Sequence, residues 1–325
     1  TYKFGYSRGV RFIFKHWFSL LFVPAAILLL YGVAYFKFNT QIDDWPSIKA
    51  FNSAIAMSGL EFRLGTLSNL GTELLSVSVL LMNLTVGWHY SKQVFGCTMV
   101  YARYDSYPVT PFQRTLIKAS LFSVAFFNFF YLSIYAPEYN SNAVKEAYFF
   151  NIPLIPLGLP TALIPIAGAI CSVLALGVLV GVFYANYRRT EIWPSPNLVV
   201  AWLAFYVWWI PVVRQTEFYF LAIPFFHSLQ YLPFAHRMES HQAGHGKGES
   251  LRSSIKLAVL LVIGFAAFEL VPSLLDERLS TYWSMNCQFF MIAFAIFINI
   301  HHFFIDSVAW KFNQKEIQHG LFGEQ

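Results

Sequence analysis

Charged residues are scarce in this chain. They make up 12% of its 325 residues, whereas 57% are apolar and 19% aromatic; a typical soluble domain has roughly 25% charged residues. The apolar residues occur in blocks long enough to cross a bilayer, which takes about 20 residues of helix. Water is therefore not the main solvent of this protein, and we expect an all-α, polytopic bundle of membrane helices.

Other features are missing as well. The three cysteines, Cys97, Cys171 and Cys287, have no CxxC spacing, which excludes a disulfide framework and a zinc knuckle. The net charge of +5 comes from Lys and Arg residues in short segments between apolar blocks that form no basic stripe, so we expect no nucleic-acid partner. The first block lacks a small-residue cleavage site and is expected to be a span, not a signal peptide. No convincing internal repeat is found, which weakens a transporter built from related halves.

Hydropathy predicts eight transmembrane spans in one transmembrane domain, residues 1–325. The spans are expected at about 17–36, 73–93, 115–136, 161–184, 197–213, 217–236, 255–273 and 285–309. The longest connection, 37–72, is expected outside the cytoplasm as an interfacial or re-entrant segment. The glycine-containing segment 237–254 is expected to be a flexible cytoplasmic loop.

Loop charges predict the orientation. Lys and Arg cluster before the first span, in every second connection and after the last span, while the other connections carry mostly Asp and Glu. The positive-inside rule then puts the N and C termini in the cytoplasm. We expect an integral, multi-pass protein of the inner or plasma membrane type, with the lipid bilayer as its first partner.

Prolines interrupt several predicted spans, among them Pro24 in the first, Pro211 in the fifth and Pro224 in the sixth. A proline inside a helix has no N–H, so one carbonyl of the preceding turn loses its donor. In a membrane that carbonyl needs a replacement from a neighbouring group.

Three predicted spans carry a histidine with a polar partner about one turn away. These pairs are His89 with Gln93, His227 with Gln230 or Tyr231, and His302 with Asp306. Residues three or four positions apart share a helix face, and a ligating histidine usually needs its second ring nitrogen held by a partner. The three spans are expected to run in the same direction, so their histidines are candidates for one shared metal site.

We therefore predict His89, His227, His301 and His302 as candidate metal ligands. His301 and His302 are adjacent and point about 100° apart, so only one of them is expected on a given ion. Within the site, Asp306 is expected as a further ligand or catalytic carboxylate and Tyr231 as a proton donor. Gln93 and Gln230 are expected to orient imidazoles at the cofactor.

The His301-His302 pair is similar to the end of the HxxHH box of membrane di-iron hydroxylases and desaturases. Ile298 stands where the first histidine of that box would be. We therefore assign the chain to no family on this basis.

These residues predict a metal-dependent membrane oxidoreductase that acts on a lipophilic small molecule. Imidazole with a carboxylate suits iron best, and the sequence leaves open whether the iron is haem or non-haem. The alternative is a non-catalytic membrane subunit of a larger complex, or a transporter, because membrane histidines commonly only join helices or relay protons.

Overall fold

The helices follow the apolar blocks of the sequence. The computed structural model describes residues 6, 8–42, 44–59, 63–65, 69–141, 152, 154, 155, 157, 159–210, 229, 233, 255, 258–260, 262–280, 288–309 and 322. Within these ranges the ordered elements are helical, and an isolated β-bridge pairs Gln41 with Asn69. The expected all-α architecture is confirmed for this part of the chain.

We number the helices in chain order. They are α1, Val10–Lys15; α2, Phe18–Phe36; α3, Pro46–Met57; α4, Leu70–Tyr104; α5, Pro111–Ser141; α6, Leu163–Thr190; α7, Pro196–Trp209; α8, Ala258–Leu279; and α9, Phe289–Ala309.

Among the described residues, six helices are long and apolar enough to cross a membrane: α2, α4, α5, α6, α8 and α9. They coincide with six of the eight predicted spans, so the chain is a multi-pass membrane protein. Most of the apolar stretch in α6 and in α8 is exposed, as expected for helices that face lipid. The predicted sixth span, 217–236, lies outside the described residues except for positions 229 and 233.

The predicted fifth span is shorter than expected. Helix α7 runs over Pro196–Trp209, and its last six residues, Ala204–Trp209, form a 3-10 helix. Ile210 follows in an extended conformation and precedes Pro211. A residue before proline disfavours the α conformation, which accounts for the end of the helix.

Helix α4 is longer than predicted, since it continues to Tyr104 instead of ending near residue 93. Its polar residues do not break it because their side chains bond to their own helix. Ser91 Oγ donates to Gly87 O at 2.9 Å, and Thr98 Oγ1 donates to Val94 O at 2.8 Å. The extension places His89 near the middle of this helix.

The chain forms two compact units. The first unit comprises Thr1–Met82, Tyr148–Leu154 and Phe234–Gln325, and the second comprises Asn83–Ala147 and Ile155–Pro233. In the first unit, α9 packs against α2 and α8. In the second unit, α5 packs against α6 and the end of α7.

In the first unit, the connection between α2 and α4 is tied down by backbone and amide hydrogen bonds. The Leu70 N–H donates to Thr40 O at 2.9 Å and the Gly71 N–H to Phe38 O at 3.2 Å. The Asn52 side chain donates to Leu64 O and accepts from Leu64 N–H, both at 2.8 Å. This connection contains helix α3; its expected interfacial or re-entrant placement stays a prediction.

In the second unit, a buried amide network joins the start of α5 to the end of α6. Asn186, 1% exposed, donates to Pro108 O at 2.6 Å and accepts from Gln113 Nε2 at 2.9 Å. Gln113 also accepts from the Thr110 N–H while the Thr110 hydroxyl accepts from the Gln113 N–H. This reciprocal capping box fixes the start of α5.

Candidate metal centre

Helix α9 carries His301, His302 and Asp306 within an otherwise mostly apolar sequence. Its start is capped from α8: one carboxylate oxygen of Asp276 accepts from the Phe290 N–H at 2.8 Å and the other from the Met291 N–H at 3.0 Å. A carboxylate at a helix N-terminus satisfies open N–H groups and complements the helix dipole. The helix then continues to Ala309 through a mostly apolar sequence.

His302 and Asp306 form a pair on one face of α9. His302 Nε2 lies 3.5 Å from Asp306 Oδ2, as expected for positions i and i+4 of a helix. Asp306 is 8% exposed as a residue, whereas the His302 side chain keeps 29% of its surface accessible. The structure thus brings an imidazole and a carboxylate together, and the imidazole is the more accessible of the two groups.

His301 points away from that pair and contacts the N-terminal segment, by which we mean the described residues before α2, 6 and 8–17. Its Nε2 lies 3.2 Å from the hydroxyl oxygen of Tyr6, and the residue is 3% exposed. The Tyr6 hydroxyl donates to the Leu20 carbonyl at 2.8 Å. In an α-helix the Leu20 carbonyl would accept from residue 24, which is Pro24 and has no N–H.

The Tyr6 hydroxyl therefore gives the Leu20 carbonyl a donor in the turn before Pro24, where Phe18–Phe22 form a π-helix. Burial raises the pKa of the Tyr6 phenol above its ordinary value, so the hydroxyl keeps its proton near neutral pH. Since that proton goes to Leu20 O, the phenol oxygen accepts from His301, which assigns the proton of the imidazole to Nε2. His301 Nε2 is then a hydrogen-bond donor and no longer a metal-binding atom.

The adjacent histidines thus have different surroundings. His302 faces a carboxylate of its own helix, and His301 faces Tyr6 and the ring of Phe297, whose centroid lies 5.3 Å away. This agrees with the 100° turn between neighbouring helix residues. The ligand role predicted for His301 stays a prediction. Since Nε2 donates to Tyr6, only Nδ1 of the His301 ring could bind a metal ion.

His89 and Gln93 lie in the second unit. His89 is buried, 6% exposed, near the middle of α4, and its ring centroid lies 5.9 Å from that of Tyr90. Gln93 is half-buried one turn further along the same helix. The burial of an imidazole in an apolar helix is a cost that a hydrogen bond or a metal ion must offset; the ligand role of His89 and the orienting role of Gln93 stay predictions.

The other predicted site residues, His227, Gln230 and Tyr231, lie outside the described residues, as does the predicted loop 237–254. Their predicted roles in metal binding, orientation and proton transfer stay predictions.

Sequence reasoning missed Tyr6 as a neighbour of His301. Tyr6 and His301 are separated by 295 positions, so no local pattern connects them. One signal was present: Pro24 leaves a carbonyl in need of a donor, and a tyrosine hydroxyl is a donor that an apolar interior accommodates.

Comparison with known proteins gives no relative from which to transfer a function. The chain matches no family model, no curated protein and no solved structure.

Proposed function

We propose that this membrane protein binds one first-row transition-metal ion through His302 and Asp306 of α9. His302 offers an imidazole nitrogen and Asp306 a carboxylate oxygen. The sequence suggests His89 and His227 as further ligands. Two histidines and a carboxylate are the donor set of non-haem iron sites that keep open coordination positions, so iron is the metal we assign.

The observation that carries this proposal is the His302–Asp306 pair. A carboxylate that is 8% exposed in an apolar helix is costly unless a cation or hydrogen bonds offset its charge. The neighbouring imidazole lies 3.5 Å away and keeps part of its surface accessible. A bound metal ion would stabilise the carboxylate and use the imidazole as a second ligand.

On this basis we propose that the chain is an oxidoreductase with a lipophilic substrate and dioxygen as the oxidant. Bound iron would supply the open coordination positions that dioxygen requires. The choice of substrate class follows from the surroundings, since α9 carries Phe297, Phe303 and Phe304 beside the polar residues. Ligand cavities lined by apolar side chains with a few polar groups favour apolar molecules.

The same proposal includes eight spans with both termini in the cytoplasm. A cysteine at Ser141 should then react with a membrane-impermeant maleimide from outside intact cells. Cysteines at Lys247 and Gln314 should react only after the membrane is opened. The parent chain, with its three native cysteines, gives the background labelling, and reaction of Lys247→Cys and Gln314→Cys from opposite faces would contradict this topology.

Metal analysis of the purified protein tests the metal assignment. We expect about one iron per chain after expression in iron-containing medium, without the Soret band of a haem. The matched control is protein from chelator-treated medium, reloaded with ferrous iron under anaerobic conditions. Protein that is folded, takes up no transition metal and shows no haem would refute the assignment and favour a non-catalytic membrane subunit.

A further inference from the structure

The face of α9 next to the metal-binding pair packs against the N-terminal segment. Leu20, Ile305, Val308 and Ala309 form a buried cluster, and Tyr6 packs against it. Ile305 and Val308 lie one and two turns beyond His301 in α9, on the same side of the helix. Apolar packing therefore brings the N-terminal segment and this side of α9 into contact.

Apolar packing alone is non-directional, whereas a hydrogen bond has a preferred distance and angle. In the cluster, the directional contacts are the two bonds of the Tyr6 hydroxyl, 3.2 Å to His301 Nε2 and 2.8 Å to Leu20 O. The hydroxyl is thus joined to a side chain of α9 and to the backbone of α2. A rotation of α9 about its axis would lengthen the bond to His301.

His302 follows His301 by one residue, so its direction is set by the same helix rotation. At 100° per residue, a helix held at His301 also fixes the direction in which His302 and Asp306 face. Metal ligands must be held close to their productive directions, and the groups that hold them affect affinity although they do not touch the metal.

We infer that Tyr6 and His301 are positioning residues for the metal centre, which orient His302 and Asp306 by fixing the rotation of α9. This inference rests on the proposed function, because it assumes that His302 and Asp306 bind a metal. It assigns His301 a role different from that of a ligand, and it gives the N-terminal segment a part in the site.

The test is the affinity for Co²⁺, measured by the visible absorption of the metal-loaded, detergent-purified full chain. Tyr6→Phe removes the hydroxyl and keeps the ring, so we expect affinity to fall about 10- to 100-fold, as typical for loss of a group that holds a ligand. The cobalt absorption bands should also shift, because the ligand directions change.

Tyr206→Phe is the matched control. The Tyr206 hydroxyl also donates to a backbone carbonyl, Ser120 O, at 3.2 Å in a buried site, but it lies in the second unit. We expect this variant to lose a similar amount of thermal stability and to retain wild-type cobalt affinity and spectrum. A purely structural role for Tyr6 would make the two variants alike in both measurements.

Two substitutions of His301 separate positioning from ligation. His301→Gln keeps an N–H donor for the Tyr6 oxygen and should retain cobalt affinity within a few-fold, whereas His301→Leu should behave like Tyr6→Phe. Loss of cobalt in both would make His301 a ligand and overturn the inference. Wild-type affinity and spectrum in Tyr6→Phe would overturn it as well, while leaving the proposed metal site intact. If the wild-type chain itself bound no cobalt or iron, the proposed function would fail first.

Discussion

Replacing His302 or Asp306 with alanine is expected to lower the affinity for iron or cobalt by far more than 10-fold and to leave the purified protein nearly free of metal. Each change removes one ligand of the proposed centre, and loss of even a group behind a ligand typically costs 10- to 100-fold. The measurements are metal content per chain and a cobalt titration of the same samples.

The effects of the two substitutions should not add. Ligands of one ion act as a unit, so the double variant His302→Ala/Asp306→Ala should lack metal to the same degree as each single variant. His89→Ala should join them if His89 is a ligand of the same ion, as the sequence suggests. Retention of metal in His89→Ala, together with its loss in His302→Ala, would remove His89 from the ligand set.

Ser307→Ala provides the control within the same helix. The Ser307 hydroxyl is partly buried and donates to Phe304 O of its own helix at 2.7 Å, so it tests whether loss of any polar side chain in α9 disturbs the protein. We expect this variant to keep its metal. Full metal content in well-folded His302→Ala or Asp306→Ala would instead contradict the proposed site and leave the pair as an interaction within the helix.

The local part of this candidate site could be predicted from the sequence. The contact between His302 and Asp306 follows from the helix repeat alone, because the apolar sequence of α9 predicts a helix and positions i and i+4 then share a face. The different directions of His301 and His302 follow in the same way.

The long-range part could not be predicted. Tyr6 meets His301 only because α1 and α2 bring the N-terminal segment against α9, and this packing depends on apolar shape across 295 positions.

Hydropathy has a similar limit in locating the ends of the spans. It located α2 and α9 well, but it ended α4 too early, at Lys92 and Gln93, although the helix continues through Thr98, whose hydroxyl donates to Val94 O of the same helix.

Gly71 illustrates a requirement for close backbone approach in the first unit. A Cβ atom built there would lie 2.1 Å from Phe38 Cδ2 and 2.8 Å from Phe38 Cα. The side chain of Phe38 could move, but its Cα belongs to the backbone and is held by the bond from Gly71 N–H to Phe38 O at 3.2 Å. Phe38 also packs edge-on against Phe289, the first residue of α9, with ring centroids 6.1 Å apart.

Gly71→Ala is therefore expected to destabilise the protein strongly. Overpacking a filled site typically costs about 1–3 kcal/mol, and the contact with backbone places this substitution at the upper end of that range. The matched control is Gly32→Ala in α2, where a Cβ would meet no atom within 4 Å and alanine favours the helix by up to about 1 kcal/mol. Thermal unfolding of the detergent-purified variants should show a lowered midpoint for Gly71→Ala and an equal or raised midpoint for Gly32→Ala.

The metal content of Gly71→Ala connects this packing to the proposed site. Because Phe38 contacts the start of α9, displacement of Phe38 should disturb the helix that carries His302 and Asp306. We expect partial loss of metal together with lowered stability, in contrast to His302→Ala, where metal is lost from a protein that still unfolds cooperatively. A wild-type unfolding midpoint for Gly71→Ala would show that Phe38 and Gly71 are not packed as this structure has them, and would also remove the expected link from this connection to α9.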